Sequence, residues 1–300
     1  MKEKKITLLA KLALVAATII WGSSFIIVKD VTDSMPTSTL LAIRFLGASA
    51  LLSLIFHRNF KRLDKWQVLY GSFFGLLLFT AYSLQTLGIT DTTPGKNAFL
   101  TAVYVVMVPF MAWGITKKKP DRYNITAAVI CLVGIGLVSL TNDFTVRMGD
   151  ILTLGGGVFY ALHIIAVSKY SEGRDPVLLT IFQFASAGVL ASVCALIFDR
   201  SGWSGIVWNT EMILSVLYLM AGCTAAALLF QNFGQKYTEP STASLLLSLE
   251  SVFGVAFSVA FGREESSVKL YVGFLLIFIA VVISETKLSF LKKKPAQAER

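Results

Sequence analysis

The sequence predicts an all-α membrane protein of ten transmembrane helices, arranged as two inverted five-helix repeats. Three observations carry this expectation. Hydrophobic residues make up 55% of the 300-residue chain and charged residues only 15%, whereas a soluble domain carries roughly 25% charged residues to wet its surface. Apolar runs recur at close to the length, about 20 residues, that a helix needs to cross a hydrocarbon core. The second half of the chain also repeats polar and proline positions of the first. The composition argues against a soluble two-domain enzyme. It excludes disorder, which needs few apolar residues.

The first span, Leu8–Val28, follows a basic start at Lys2, Lys4 and Lys5. With nine further runs behind it, this reads as an uncleaved helix rather than a signal peptide. Next come Ser38–Phe56, opening after Pro36, and Trp66–Ile89, opening after the basic stretch Arg58–Lys65. Gly95–Ile115 follows Pro94, and Tyr123–Leu140 follows Lys117, Lys118, Lys119 and Arg122. The second set is Gly149–Ser168, Val177–Phe198, Met212–Gly234, Ser241–Phe261 and Val268–Ser284. The connecting segments are too short for a soluble domain. The runs lack the period-two alternation of barrel strands, so helices are expected.

Orientation follows from Lys and Arg in short loops. With the amino terminus in the cytoplasm, twenty of the 27 basic residues fall inside, among them the clusters named above and Lys287, Lys292, Lys293, Lys294 and Arg300. The outside holds Lys29, Lys96, Arg147, Arg200, Arg263 and Lys269, and Arg44 is left within a span. The net charge of +9 is therefore an insertion signal and no footprint for nucleic acid. Both termini are expected in the cytoplasm. Trp66, Trp113, Trp203 and Trp208 sit near span ends, as interfacial belts require, whereas Trp21 lies mid-span.

The repeat is weak in identity but regular in spacing. Lys29 and Pro36 align with Lys169 and Pro176; Gln85, Gly88, Thr92, Pro94, Leu100 and Val106 align without a gap with Gln231, Gly234, Thr238, Pro240, Leu246 and Val252. The expected units are residues 1–143 and 144–288, each of five spans, and a basic tail at 289–300. An odd number of spans per unit inverts the second unit in the membrane, as in secondary transporters that alternate access around a central site.

Several motifs carry a family resemblance: Trp21-Gly22-Ser23-Ser24-Phe25 with Lys29, Pro36 followed by Arg44-Phe45, Asn97-Ala98-Phe99-Leu100 after Pro94, and Leu249-Glu250-Ser251-Val252-Phe253. In order and spacing the chain resembles the EamA family of the drug/metabolite transporter superfamily. That resemblance implies a bacterial inner-membrane exporter of amino acids, their analogues or other small metabolites. Ser251 stands where the family usually has proline, so a proline-driven helix break is not expected there.

Polar side chains at membrane depth are the candidates to line a path, because a buried ionisable group costs about 2.5–3.5 kcal/mol to insert and is usually functional. Only Arg44 and Glu250 are charged and deep. They form either a structural ion pair between the halves or two functional groups, Arg44 for an anionic group and Glu250 for an ammonium or a coupling proton. Tyr82 and Gln85 share a helix face with Gly71, Gly75 and Leu78; Asn97, Thr101 and Tyr104 share another, and Tyr160 and His163 a third with Gly156. Gln183, Gln231, and Trp21 with Ser24 complete the set. For each stripe, interhelical hydrogen bonding is the competing structural reading.

No P-loop, HExxH, GxSxG or CxxC motif occurs, and Cys131, Cys194 and Cys223 have neither disulfide nor metal spacing. Neither an enzyme nor a cofactor is expected. The expected partners are a small-molecule solute and the lipid bilayer, with a coupling proton as an option and monomer and homodimer both open. An amide- and aromatic-rich interior suits a modest-sized zwitterionic or partly apolar solute. A passive channel and a sugar-phosphate or nucleotide-sugar exchanger are the alternatives; the exchanger would need several deep cations.

Overall fold

The computed structural model describes residues 2–92, 94–117, 119–139, 146–261 and 267–287. Lys118, Arg263, the 143/144 junction and the basic tail 289–300 lie outside the described residues. Those residues form a helical bundle with no strand. Its α-helices are α1 (Lys2–Thr32), α2 (Thr37–Ile55), α3 (Lys65–Asp91), α4 (Pro94–Ala102), α5 (Tyr104–Thr116), α6 (Arg122–Ser139) and α7 (Met148–Tyr170). They continue with α8 (Pro176–Cys194), α9 (Thr210–Tyr218), α10 (Ala227–Lys236), α11 (Pro240–Leu247), α12 (Leu249–Ala260) and α13 (Val268–Thr286). Six continuous helices are long and apolar enough to cross a membrane: Lys5–Thr32, Thr37–Ile55, Lys65–Asp91, Met148–Tyr170, Pro176–Gly205 and Thr210–Lys236. The predicted fourth, fifth and tenth spans correspond to shorter apolar helices, Leu100–Ile115, Arg122–Leu137 and Tyr271–Ser284.

Polar caps start these helices where the chain leaves the apolar layer. The Asp64 carboxylate accepts the N–H groups of Trp66 and Gln67 at 2.7 and 2.9 Å, and Gln67 Oε1 accepts that of Asp64 at 3.0 Å, a reciprocal box opening α3. Asp175 accepts from Val177 N at 2.9 Å, with Pro176 in the first turn of α8 where a missing N–H costs nothing. Asn209 caps α9 through Met212 N at 2.8 Å.

Cross-helix bonds fix the up-and-down arrangement. At the end where α1 begins, Asn59 donates to Asp175, Lys236 to the Arg174 carbonyl, and Ser284 to Asn124. At the opposite end Lys29 reaches the carbonyls of Ile89 and Thr90, Thr39 donates to Asp199, and Gly149 N to Asp91. Between them, α3 lies against α7 and α8, α6 against α13, and α1 between α10 and α12. Phe45 of α2 is fully buried against Tyr82 and Phe184, with ring centroids at 5.3 and 6.1 Å. Glycine lets α3 approach α8: a Cβ on Gly71 would meet Phe182 Cβ at 2.7 Å, and one on Gly75 would collide with the Gln183 carbonyl. Trp66, Trp113, Trp203 and Trp208 are exposed, and Trp21 is turned into the bundle.

Two kinds of departure from regular α-helix, interruptions and π-helical turns, were not expected. The predicted ninth span is divided at Ser248 between α11 and α12 although no proline is present. Ser248 Oγ donates to Leu245 O at 2.7 Å, and both the N–H and the hydroxyl of Ser251 return to Ser248 O at 3.2 and 2.8 Å. Serine hydroxyls thus compete for carbonyls and tighten the turn to i→i−3 spacing. The predicted fourth span has a similar interruption at Val103, between α4 and α5. Elsewhere the chain widens into π-helical turns, at Ala195–Asp199 and Leu219–Ala226.

Candidate functional site

A cavity lies between the two halves of the chain. From the first half, α1 contributes Trp21 and Ser24, α2 Arg44, α3 Tyr82 and Gln85, and α4–α5 Asn97, Thr101 and Tyr104. From the second half, α7 contributes Tyr160, α10 Gln231 and α12 Glu250. Trp21 with Ser24, Tyr82 with Gln85, and Asn97 with Thr101 are three or four residues apart, which places each pair on one helix face.

The amide and hydroxyl groups form a continuous network. Tyr160 Oη donates to Gln85 Oε1 at 2.8 Å, and Gln85 Nε2 donates to Thr101 Oγ1 at 3.1 Å. Asn97 is fully buried, and its Nδ2 donates to Thr153 Oγ1 at 2.7 Å and to the Gln85 carbonyl at 3.1 Å. Its Oδ1 has no protein partner. Tyr82 and Tyr104 flank Tyr160 with ring centroids at 5.6 and 6.5 Å, giving an aromatic wall. Trp21 also lines the cavity, and its indole N–H donates to the Cys223 carbonyl in the π-helical stretch at 2.7 Å. This polar tether accounts for a tryptophan at mid-span, away from the interfaces.

The two deep charges do not pair with one another. Arg44 Nε donates to Thr224 Oγ1 at 3.0 Å and its guanidinium stands 5.2 Å from the Tyr82 ring centre. Glu250 accepts a long bond, 3.5 Å, from Tyr104 Oη. Among the described residues neither has an opposite charge within 4 Å. No direct ion pair joins them, and both border the cavity.

Two of the sequence candidates stand elsewhere. His163 and Gln183 are fully buried and face each other at 3.1 Å outside the cavity wall, because the Tyr160 face turns His163 toward α8. Conversely, Phe25, Val28, Thr86, Ile89, Ile164, Leu228 and Leu247 line the cavity without having been singled out. A search for deep polar groups passes over the six apolar residues among these, and it overlooked the Thr86 hydroxyl. Their spacing from Trp21, Tyr82, Tyr160, Gln231 and Glu250, three, four or seven positions, was the available signal. No group of three metal-ligating side chains occurs among the described residues.

The comparisons with known proteins agree with this architecture. Residues 8–140 and 147–286 each match the EamA-like transporter family. A protein from Archaeoglobus fulgidus described as an uncharacterized transporter is 33% identical over 276 residues, covering 92% of this chain and 85% of its own. The uncharacterized transporter YetK of Bacillus subtilis is 24% identical over 96% of this chain and 89% of its own. A solved crystal structure superposes with a TM-score of 0.77 at 16% identity, covering 95% of this chain and 99% of that one, which is a likeness of fold. The chain is a multi-pass membrane protein and belongs to the EamA-like transporter family.

Proposed function

We propose that the protein is a secondary transporter of the cytoplasmic membrane that moves a small zwitterionic or partly apolar metabolite, such as an amino acid or its analogue, by alternating access. In this reading ten spans form two inverted units, both termini are cytoplasmic, and the direction is export. The observation that carries it is the cavity itself. It is walled by both halves, rich in amides and tyrosines, and bordered by one cation and one carboxylate that are not neutralised by each other. Asn97 Oδ1 adds an acceptor with no protein partner. A sugar phosphate would need several deep cations, and among the described residues Arg44 is the single basic residue of the wall.

The inverted repeat is supported by matching contacts. Gly88 of α3 lies against Gly149 and Thr153 of α7; Gly234 of α10 lies against Ala10 and Leu14 of α1. The helix breaks at Val103 and Ser248 occupy corresponding places, and Tyr104 and Glu250 meet across a separation of 146 residues. Interrupted helices at a repeat interface are where transporters of this kind hold solute.

The test is a solute screen in proteoliposomes scored for counterflow. Saturable uptake stimulated by unlabelled solute on the other side is the expected result. Linear flux without trans-stimulation would identify a channel and refute alternating access. Glu250→Gln should abolish or flatten the pH dependence of transport; an unchanged pH profile would remove the proton from the scheme.

A further inference from the structure

Ten buried polar side-chain atoms among the described residues find no hydrogen-bond partner, and nine of them lie in one region. They are His163 Nδ1, Ser168 Oγ, Ser171 Oγ, Arg174 Nε, Gln183 Nε2, Asn232 Oδ1, both polar atoms of the Gln235 side chain, and Thr238 Oγ1. All belong to α7, α8, α10 or the turns that follow α7 and α10, with α10 packed against both α7 and α8. Native proteins keep few such groups, and each calls for an explanation. His163, Gln183, Asn232 and Gln235 are at most 2% exposed, so surface solvent does not account for them.

Their placement supplies the explanation. On α7 the cavity residues Tyr160 and Ile164 continue down the same face to Ser168 and Ser171, in steps of four, four and three. On α10 and its C-terminal turn, the cavity residue Gln231 continues to Gln235 and Thr238, in steps of four and three. The wall of the central cavity is thus prolonged as polar side chains toward the end of the bundle where α1 begins. Between the two stripes, Asn232 Nδ2 bonds Thr180 Oγ1 at 2.8 Å and Gln183 Oε1 at 3.2 Å, tying α10 to α8 below the cavity.

We propose that this sealed polar stripe is the second half of the solute path, which opens when α10 separates from α7 and α8. It takes a hydrogen-bonding solute, neutral overall, together with water. The proposal rests on the transporter reading above. The class of solute follows from the donor set. The amides of Gln183 and Gln235 and the Arg174 Nε offer protons, Asn232 and Gln235 offer acceptors, and the three hydroxyls offer both. The single formal charge of this set, Arg174, already donates through Nη1 to the carbonyls of Tyr170 and Glu172. Lys236, beside it, is likewise committed, its Nζ donating to the Arg174 carbonyl at 2.6 Å.

Accessibility of single cysteines tests this without knowledge of the solute. In the full chain carrying Cys131→Ala, Cys194→Ala and Cys223→Ala, a membrane-impermeant maleimide is applied from either face of reconstituted vesicles. Ser168→Cys and Gln235→Cys should label from the face where α1 begins. They should react about tenfold or more faster than Val189→Cys on the exposed apolar flank of α8, because a thiol in apolar surroundings stays protonated and unreactive. Ser24→Cys, in the cavity, should label from the opposite face. If Ser168→Cys and Gln235→Cys react no faster than Val189→Cys, or react from the opposite face, while Ser24→Cys labels, the half-path is overturned and the cavity reading stands. If Ser24→Cys also fails to label, the cavity reading falls and the half-path with it.

Discussion

Replacing Asn97 separates a hydrogen-bonding role from a packing role. Its Nδ2 makes two bonds, 2.7 Å to Thr153 Oγ1 and 3.1 Å to the Gln85 carbonyl, and so ties α4 to α7 and α3. Two neutral bonds are worth about 1–3 kcal/mol together. In Asn97→Ala the loss should fall in the lower part of that range, since Thr153 keeps its bond to the Gly149 carbonyl at 2.7 Å. Asn97→Asp keeps the volume but sets a carboxylate against two acceptors, the Thr153 proton being committed to Gly149. A buried charge without a partner costs several kcal/mol, more than the cavity left by alanine. Thermal unfolding of the detergent-purified protein at pH 8, followed by tryptophan fluorescence, reads the difference. At about 2–4 °C per kcal/mol, Asn97→Ala should lower the midpoint by several degrees and Asn97→Asp by clearly more. A nearly isosteric Asp variant as stable as the wild type, or more stable than the Ala variant, would refute the assigned donor geometry.

Three further outcomes are expected. Phe45→Ala empties the contact between Tyr82 and Phe184 and should cost about 3–5 kcal/mol, measured by the same unfolding assay. Gly75→Leu should drive α3 from the Gln183 carbonyl and destabilise by about 1–3 kcal/mol or prevent accumulation in the membrane, whereas Leu76→Ala on the exposed flank should be tolerated. Asp121, beyond the start of α6, is held below the usual carboxylate range first by the Tyr123 N–H at 2.9 Å and then by Lys287 at 2.9 Å. A depressed folded-state pKa gives stability that is present above the unfolded value of about 3.9 and is lost as pH falls through the folded value. Asp121→Asn should therefore cost less than about 1 kcal/mol at pH 7 for this part-exposed pair, with a deficit that shrinks below about pH 4 and in high salt.

Much of the cavity was legible as helical periodicity. Tyr82 with Gln85, and Asn97 with Thr101 and Tyr104, are set on common faces by steps of three and four alone, and those faces do border one cavity. The charge of Arg44 was legible, but its partner was not. Thr224 lies 180 residues away, on a π-helical turn that nothing in the local apolar run announces. The division at Ser248 was hidden for a related reason. Serine hydroxyls break a helix only when the surrounding contacts favour the tighter turn, as Cys131 Sγ at 3.1 Å from Ser248 Oγ does here.

By itself the sequence determined the class of solvent and the local geometry. Low charge and long apolar runs require lipid around the chain, and a helix is the local way to satisfy backbone groups there. It also determined which side chains share a face, because that depends only on position along one helix. Only the tertiary structure decided which faces meet. Tyr160 turns into the cavity and His163, three residues on, bonds Gln183 instead. Arg44 and Glu250 border one space without touching. Such outcomes depend on close packing between segments far apart in the chain, for which no local pattern encodes the partner.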